Sequence, residues 1–260
     1  MSRNGGSLIR RLRRALGPRG GATPSPAPFA EVERAERIFY LQYLREGMTV
    51  FDVGANVGEL TMLFSRFVGA AGIVHAFEPT ERGFERLSAV SRAASLGNVR
   101  LNRLALAEEE GSVRLHVYDD AHLSWTTRAE RPLEDYGIDV KPRTTEEAPA
   151  TTVDLYCEAN GVAAIDLLKI DVEGAELQVL FGARRMLRER RVRCVTFEFG
   201  QTTFDMGNRP EQIESYLNEA GYELRNIVEG DPLFPGGGDA QTACYSMHVA
   251  SPRPAGGKLS

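Results

Sequence analysis

The sequence predicts an α/β fold, a seven-stranded and mostly parallel sheet with helices on both faces and an antiparallel last strand. Three observations carry the prediction. Apolar runs at residues 49–53 (TVFDV), 73–77 (IVHAF), 165–170 (IDLLKI) and 192–199 (VRCVTFEF) have the pattern of strands buried on both faces. Stretches of helical periodicity alternate with them, the signature of parallel βαβ units. Residues 222–228 and 243–250 read as strands with no helix between them, so the last strand returns against its neighbours.

The 260 residues are 42% hydrophobic and 26% charged, which suits one sizeable domain, with or without an appendage. No apolar run approaches the roughly 20 residues needed to cross a bilayer. Cys157, Cys194 and Cys244 are odd in number and far apart, with no C-x-x-C pair, so reduced thiols in a cytoplasmic protein are expected. Net charge is −5, yet residues 1–20 carry six arginines and no acid, which leaves about −11 on the rest. An acidic body argues against nucleic acid as the main substrate, because phosphate contacts need a basic face.

Residues 7–16 (SLIRRLRRAL) set Leu8, Leu12 and Leu16 on one helical stripe with arginines opposite. So short a helix is unstable alone, and it reads either as a frayed terminus or as an arm contacting a membrane surface, a carrier or a partner. Residues 17–28, rich in Gly and Pro, are a linker. The expected division is therefore an arm over 1–28, one domain over 29–252 and a tail over 253–260. Residues 29–46 form a helix with Phe29, Val32, Phe39, Tyr43 and Leu44 for its buried side and Gly47 as its stop. In folds of this kind a leading helix often covers the ligand cleft.

Residues 59–67 and 80–96 are the helices after the first two strands, and residues 99–104 are the third strand. Residues 112–118 alternate Val113, Leu115 and Val117, a strand with one wet face. Residues 119–150 are the least regular part of the body. With Trp125 close to His122 they read as a substrate-facing lid or as a mobile surface insert. A short helix at 151–158 leads to the strand at 165–170, and helices at 177–191 and 209–220 follow.

The chain is organised around residues 49–58, TVFDVGANVG. A glycine-containing turn between a buried strand and a helix lets a ligand approach the backbone at a helix N-terminus with free N–H groups. The second strand ends in Glu78, 26 positions after Asp52, where a doubly wound sheet places the acid that hydrogen-bonds a ribose hydroxyl. The turn reads Gly54-x-x-x-Gly58, so the G-x-G-x-x-G nicotinamide fingerprint is not met. Acidic-x-Gly-x-x-x-Gly followed by a ribose carboxylate instead resembles motif I of class I S-adenosylmethionine-dependent methyltransferases.

VFDVGANVGELT and, about 115 residues later, LLKIDVEGAELQVLFGARRML together resemble the FkbM-type family of that class; HAFEP and NRLALAEEEGSVRL fit the same pattern. The resemblance implies a Rossmann-like methyltransferase fold with S-adenosylmethionine as cofactor. It also implies O-methylation of a hydroxyl on a sugar, glycan or polyketide-type natural product, leaving S-adenosylhomocysteine. By position it implies that Asp52, Gly54, Asn56 and Gly58 line the methionine and ribose side of the cofactor. Glu78, followed by Pro79, would hold the ribose hydroxyls, and Ala105 and Leu106 would flank the adenine. HLSWTT at residues 122–127 departs from the family's Gly-Asn-Ser-Ser-like runs, a difference that bears on the acceptor.

Ligands in open α/β sheets bind beyond the carboxyl ends of the strands, and Asp52, Glu78, Asp171, Glu173 and Glu198 all fall there. An alcohol is a poor nucleophile until a base removes its proton or a metal lowers its pKa. Asp171 is the first candidate for the group beside the reacting centre and Glu173 the alternative base. His122 is a further candidate, since imidazole titrates near working pH. Glu173 and Glu176 also read as first-turn acids complementing a helix dipole, with Asp171 as the cap. Convergence of these carboxylates would suit magnesium, although no spacing in the sequence proves a site. His75, His116 and His248 fall in strands and read as structural.

The rival readings are an N-methyltransferase, an NAD-dependent oxidoreductase and a non-catalytic cofactor-binding protein. The first lacks its Asn/Asp-Pro-Pro-aromatic motif here and the second its Tyr-x-x-x-Lys pair. The third would tolerate loss of Asp171 and Glu173.

Overall fold

A computed structural model describes residues 26–236 and 243–254, so the expected basic arm over residues 1–20 and most of the tail lie outside the described residues. The first half contains α1 (Phe29–Tyr43), β1 (Thr49–Val53), α2 (Glu59–Val68), β2 (Ile73–Phe77), α3 (Glu81–Ala93), β3 (Val99–Asn102), β4 (Ala105–Leu106) and β5 (Gly111–Val117). After a 3₁₀ turn at Leu123–Trp125 come β6 (Thr144–Thr151), α4 (Val153–Asn160), β7 (Leu167–Ile170), α5 (Glu176–Gly182) and α6 (Arg184–Arg188). The chain continues through β8 (Val195–Phe199), α7 (Gln201–Asp205), α8 (Pro210–Glu219), β9 (Tyr222–Asn226) and β10 (Ser246–Pro252).

Seven strands form one sheet in the order β3-β2-β1-β7-β8-β10-β9. It is the mostly parallel sheet expected, and β10 runs antiparallel to both β8 and β9. Alternation of side chains along β1 sends Phe51 and Val53 into one apolar layer, with α4, α5, α6 and α8. Val50 goes into the other layer, against α1 and α2. From β1 the chain builds β2 and β3 on one side, then returns to build β7 and β8 on the other. The carboxyl ends of β1 and β7 therefore flank the switch point at which such sheets bind ligands.

Three local differences from the sequence reading have physical causes. The helix expected over residues 177–191 breaks at Ala183, because the Asp154 carboxylate on α4 accepts from the backbone N–H of Arg185 (2.7 Å) and Met186 (3.0 Å) and so starts α6 afresh. Residues 119–150 are not irregular throughout, since residues 144–150 belong to β6, which pairs antiparallel with β5 from Gly111↔Ala150 to Val117↔Thr144. Pro149 is tolerated there because β4 flanks β6 only at Ala150 and Thr151. Residues ahead of β6 bury a cluster of their own, in which Tyr118, Trp125 and Leu133 pack with Tyr136, Ile138 and Val140.

The third difference concerns Ala105 and Leu106. They form β4 of the three-stranded sheet β4-β6-β5 and pair with Ala150 and Thr151. Among the described residues no helix is long and apolar enough to cross a membrane. Cys157 and Cys194 are free and buried, and Cys244 is free and half-buried.

Candidate active site

A cavity of about 390 Å³ opens at the carboxyl ends of β1, β2, β7 and β8, with α1 and residues 123–126 along its border. Seven acidic residues line it against two basic ones, Arg37 and Lys169. The turn after β1 forms its floor. Gly54 has φ +77° there, and a Cβ on it would lie 1.9 Å from the Asp171 carbonyl oxygen, so the crossing of the two strand-end turns demands glycine. Asn56 also takes a positive φ of 47°. Its N–H donates to Glu78 Oε2 at 3.0 Å. Glu78 Oε1 accepts from the Thr80 N–H (3.0 Å) and the Thr80 hydroxyl (2.6 Å). Burial pushes the Glu78 pKa up while these donors pull it down. Glu78 and Pro79 both line the cavity.

Asp52 lies beneath the cavity and not among its lining residues. It is fully buried, accepts from the Thr61 hydroxyl at 2.6 Å, and pairs with Lys169 Nζ at 3.1 Å. Lys169 also donates to the carbonyls of Gly54 (2.9 Å) and Val53 (3.3 Å). Burial disfavours its charge, but Asp52, Asp171 and Glu36 together hold its pKa above the usual lysine value. The ammonium thus ties the turn to the sheet from below. Gly58 is likewise a packing residue: it starts α2 in left-handed backbone, and a Cβ on it would lie 2.7 Å from Leu87 Cδ1.

The turn after β7 supplies the opposite charge pattern. One carboxylate oxygen each of Asp171, Glu173 and Glu198 lies within 4.8 Å of the others. Glu173 sits in left-handed backbone (φ 54°), an uncommon place for a non-glycine residue. Its carbonyl accepts from the Thr127 hydroxyl at 2.6 Å, and its carboxylate is 4.0 Å from Arg131 Nη1. Arg131 in turn bonds Asp205 at 3.3 Å. Glu176 is turned inward to its own loop and accepts from the N–H groups of Val172 (3.1 Å) and Gly174 (3.2 Å). Burial raises it to about 8. Such converging acids are the condition set for magnesium, although acidic groups of this kind are common without an ion.

Two further sets of candidates lie off the cavity lining. Ala105 and Leu106 are not among the lining residues and pair instead with Ala150 and Thr151 of β6. His122 does not line the cavity either. Its Nδ1 lies 2.6 Å from Asp119 Oδ1, and its ring packs 4.6 Å from that of Trp125, which does line the cavity together with Leu123, Ser124 and Thr126. The helical stripe through Val32, Glu36 and Tyr40 also contributes a residue that was not anticipated. Glu36 lines the cavity, accepts from the Tyr40 hydroxyl at 2.9 Å, and is raised to about 7 by burial and by the charge of Asp171.

The profile of the methyltransferase FkbM domain matches residues 52–224. In addition, 31-O-demethyl-FK506 methyltransferase FkbM from Streptomyces tacrolimicus is 33% identical over 247 residues, covering 82% of this chain and 91% of that protein. The chain belongs to the FkbM methyltransferase family. Methyltransferase sdnD from Sordaria araneosa is a further relative of this methyltransferase, 30% identical over 205 residues, 70% of this chain and 77% of that one. Among solved structures, methyltransferase FkbM from Methylobacillus flagellatus KT is similar with a TM-score of 0.49 and 14% identity, over 95% of this chain and 60% of that one. The family profile begins at Asp52 and ends at Leu224, so it spans every strand end that lines the cavity.

Proposed function

We propose that this FkbM-family enzyme transfers a methyl group from S-adenosylmethionine to a hydroxyl of a small acceptor, a sugar, glycan or polyketide-type natural product. One observation carries the reading: an acid-rich cavity at the switch point, with Glu78 at one strand end and Asp171, Glu173 and Glu198 at others. Strands β2 and β7 flank β1, so their ends are roughly 10 Å apart, room for a nucleoside sulfonium to lie between them. The donor set fits such a ligand. Glu78 accepts two hydrogen bonds from Thr80 on its own turn and one from Asn56 on the turn after β1, and keeps acceptor capacity for a ribose hydroxyl. The excess of carboxylates suits a cation. The name of the Streptomyces relative specifies an O-demethylated acceptor, which supports oxygen as the receiving atom.

When bound, S-adenosylmethionine supplies an electrophilic methyl group. The protein's task is then alignment and proton removal. Asp171, partly open to the cavity with Lys169 Nζ 3.9 Å away, takes the hydroxyl proton. Glu173, fixed by Thr127 and Arg131, orients the acceptor and is the alternative base. Trp125 and Thr126 line the cavity, which supports reading the segment 119–150 as a lid over the acceptor. The same reading takes the enzyme as cytoplasmic, with residues 1–20 as an arm for peripheral membrane or carrier contact, and liposome sedimentation with and without those residues tests the arm.

The deciding experiment is titration calorimetry with S-adenosylmethionine and S-adenosylhomocysteine, followed by an acceptor screen on the wild type, Asp171→Asn, Glu173→Gln and His122→Ala. Both carboxylate variants should keep cofactor affinity while at least one loses turnover by roughly 100-fold or more, and His122→Ala should stay within about tenfold of wild type. If both carboxylate variants turn over normally, the base lies elsewhere.

A further inference from the structure

We propose that Glu36 on α1 is a receptor for the α-ammonium group of the methyl donor, so that the leading helix reads the amino-acid end of the ligand. This rests on the donor assigned above. Glu36 is 9% exposed and still lines the cavity. Its Oε1 accepts from the Tyr40 hydroxyl, and among the described residues no other hydrogen bond reaches the carboxylate. Tyr40 is itself held by the Thr196 hydroxyl of β8 at 3.0 Å, so the sheet fixes where the carboxylate points.

A buried carboxylate needs a cation or a proton. The neighbouring cations are committed: Lys169 to Asp52 and two carbonyls, and Arg37 to Glu59. The charged and titratable groups that face Glu36 are Glu33, Arg37 and Tyr40 on its own helix, with Lys169 and Asp171 from β7 and its turn. On the apolar layer that α1 shares with the sheet, β10 presents Met247 and Val249. A sulfonium carries no N–H, whereas an ammonium brings three donors to an oxygen that lacks one. The ammonium is therefore the better match, and the reacting methyl stays free to face Asp171 and Glu173.

Binding then has a proton signature. With its pKa near 7 the empty site is about half protonated at pH 7, and an arriving ammonium expels roughly half a proton. Calorimetry at pH 7 in buffers of different ionisation enthalpy reads this release directly. The probes are S-adenosylmethionine, S-adenosylhomocysteine and 5′-methylthioadenosine, which lacks the amino-acid end, on wild type and Glu36→Gln. The wild type should release protons with the first two and not with the third. Glu36→Gln should abolish the release, weaken the first two roughly ten- to a hundredfold, and leave methylthioadenosine within about threefold.

Equal affinity of the two proteins for S-adenosylhomocysteine, or release that persists in Glu36→Gln, overturns the assignment while the donor reading stands. If the variant loses all three ligands through misfolding, the wild type decides alone: equal proton release with S-adenosylhomocysteine and methylthioadenosine overturns it. If the wild type binds none of the three, the donor reading falls and this assignment with it.

Discussion

Replacing Lys169 by methionine keeps the length of the side chain and removes one charge from beneath the cavity. The lost Nζ lies 3.1 Å from Asp52 Oδ1 and donates to the carbonyls of Gly54 at 2.9 Å and Val53 at 3.3 Å. Asp52, fully buried, then retains among the described residues only the Thr61 hydroxyl at 2.6 Å. Breaking a buried pair by removing one partner costs about 3–5 kcal/mol, much of it the penalty of the charge left behind. Total stability of a domain is about 5–15 kcal/mol, so the variant should be close to marginal. At about 2–4 °C per kcal/mol for a domain of this size, the melting temperature should fall by roughly 6–20 °C. Urea unfolding followed by circular dichroism supplies the free energy. The double variant Asp52→Asn with Lys169→Met should cost less than the sum of its parts by about 0.5–3 kcal/mol, because neither charge is then stranded. A Lys169→Met cost under about 1 kcal/mol, or additivity of the two changes, would refute the claim that this pair holds the turn.

Two further outcomes are expected. Gly54→Ala puts a methyl 1.9 Å from the Asp171 carbonyl in left-handed backbone, so it should lose about 1–3 kcal/mol and weaken cofactor binding; a wild-type melting curve would contradict the close crossing. Glu176 is raised to about 8 by burial, so between about pH 4.5 and 8 the folded state holds a proton the unfolded state has lost, and wild-type stability erodes as pH rises. Glu176→Gln removes that erosion, and its melting temperature relative to wild type should climb from pH 5 to 8.5; a constant difference would sink the assignment.

Much of the fold and part of the site were legible in the sequence, for reasons that particular residues show. The runs at β1, β2, β7 and β8 are apolar because helices cover both faces, so periodicity alone found them. Glu78 and Asp171 were found because they follow such runs directly. By contrast, β6 reads TTEEAPAT and is a strand only because β5, whose paired residues lie 27 to 39 positions earlier, offers it a partner. No local pattern contains that information, nor the pairing of Ala105 and Leu106 with Ala150 and Thr151. Lys169 and Glu36 did leave a signal: each is a charge set inside an apolar pattern, the LLKI strand in one case and a helical stripe in the other. A buried charge of that kind needs a partner, and the partner of Lys169 was already in view as Asp52.

That pairing also bears on how the sheet finds its alignment. Along β1 and β7 the facing residues are Val50↔Leu167, Phe51↔Leu168, Asp52↔Lys169 and Val53↔Ile170. Three of these pairs are aliphatic or aromatic and could be exchanged at little cost, so they scarcely distinguish one alignment from another. A slip by one residue would set Lys169 beside Phe51 or Val53, turn it to the layer opposite Asp52, and leave each charge without its counterion. The two residues beneath the ligand floor thus act as the key of a lock between the central strands, rejecting misaligned sheets before any ligand arrives.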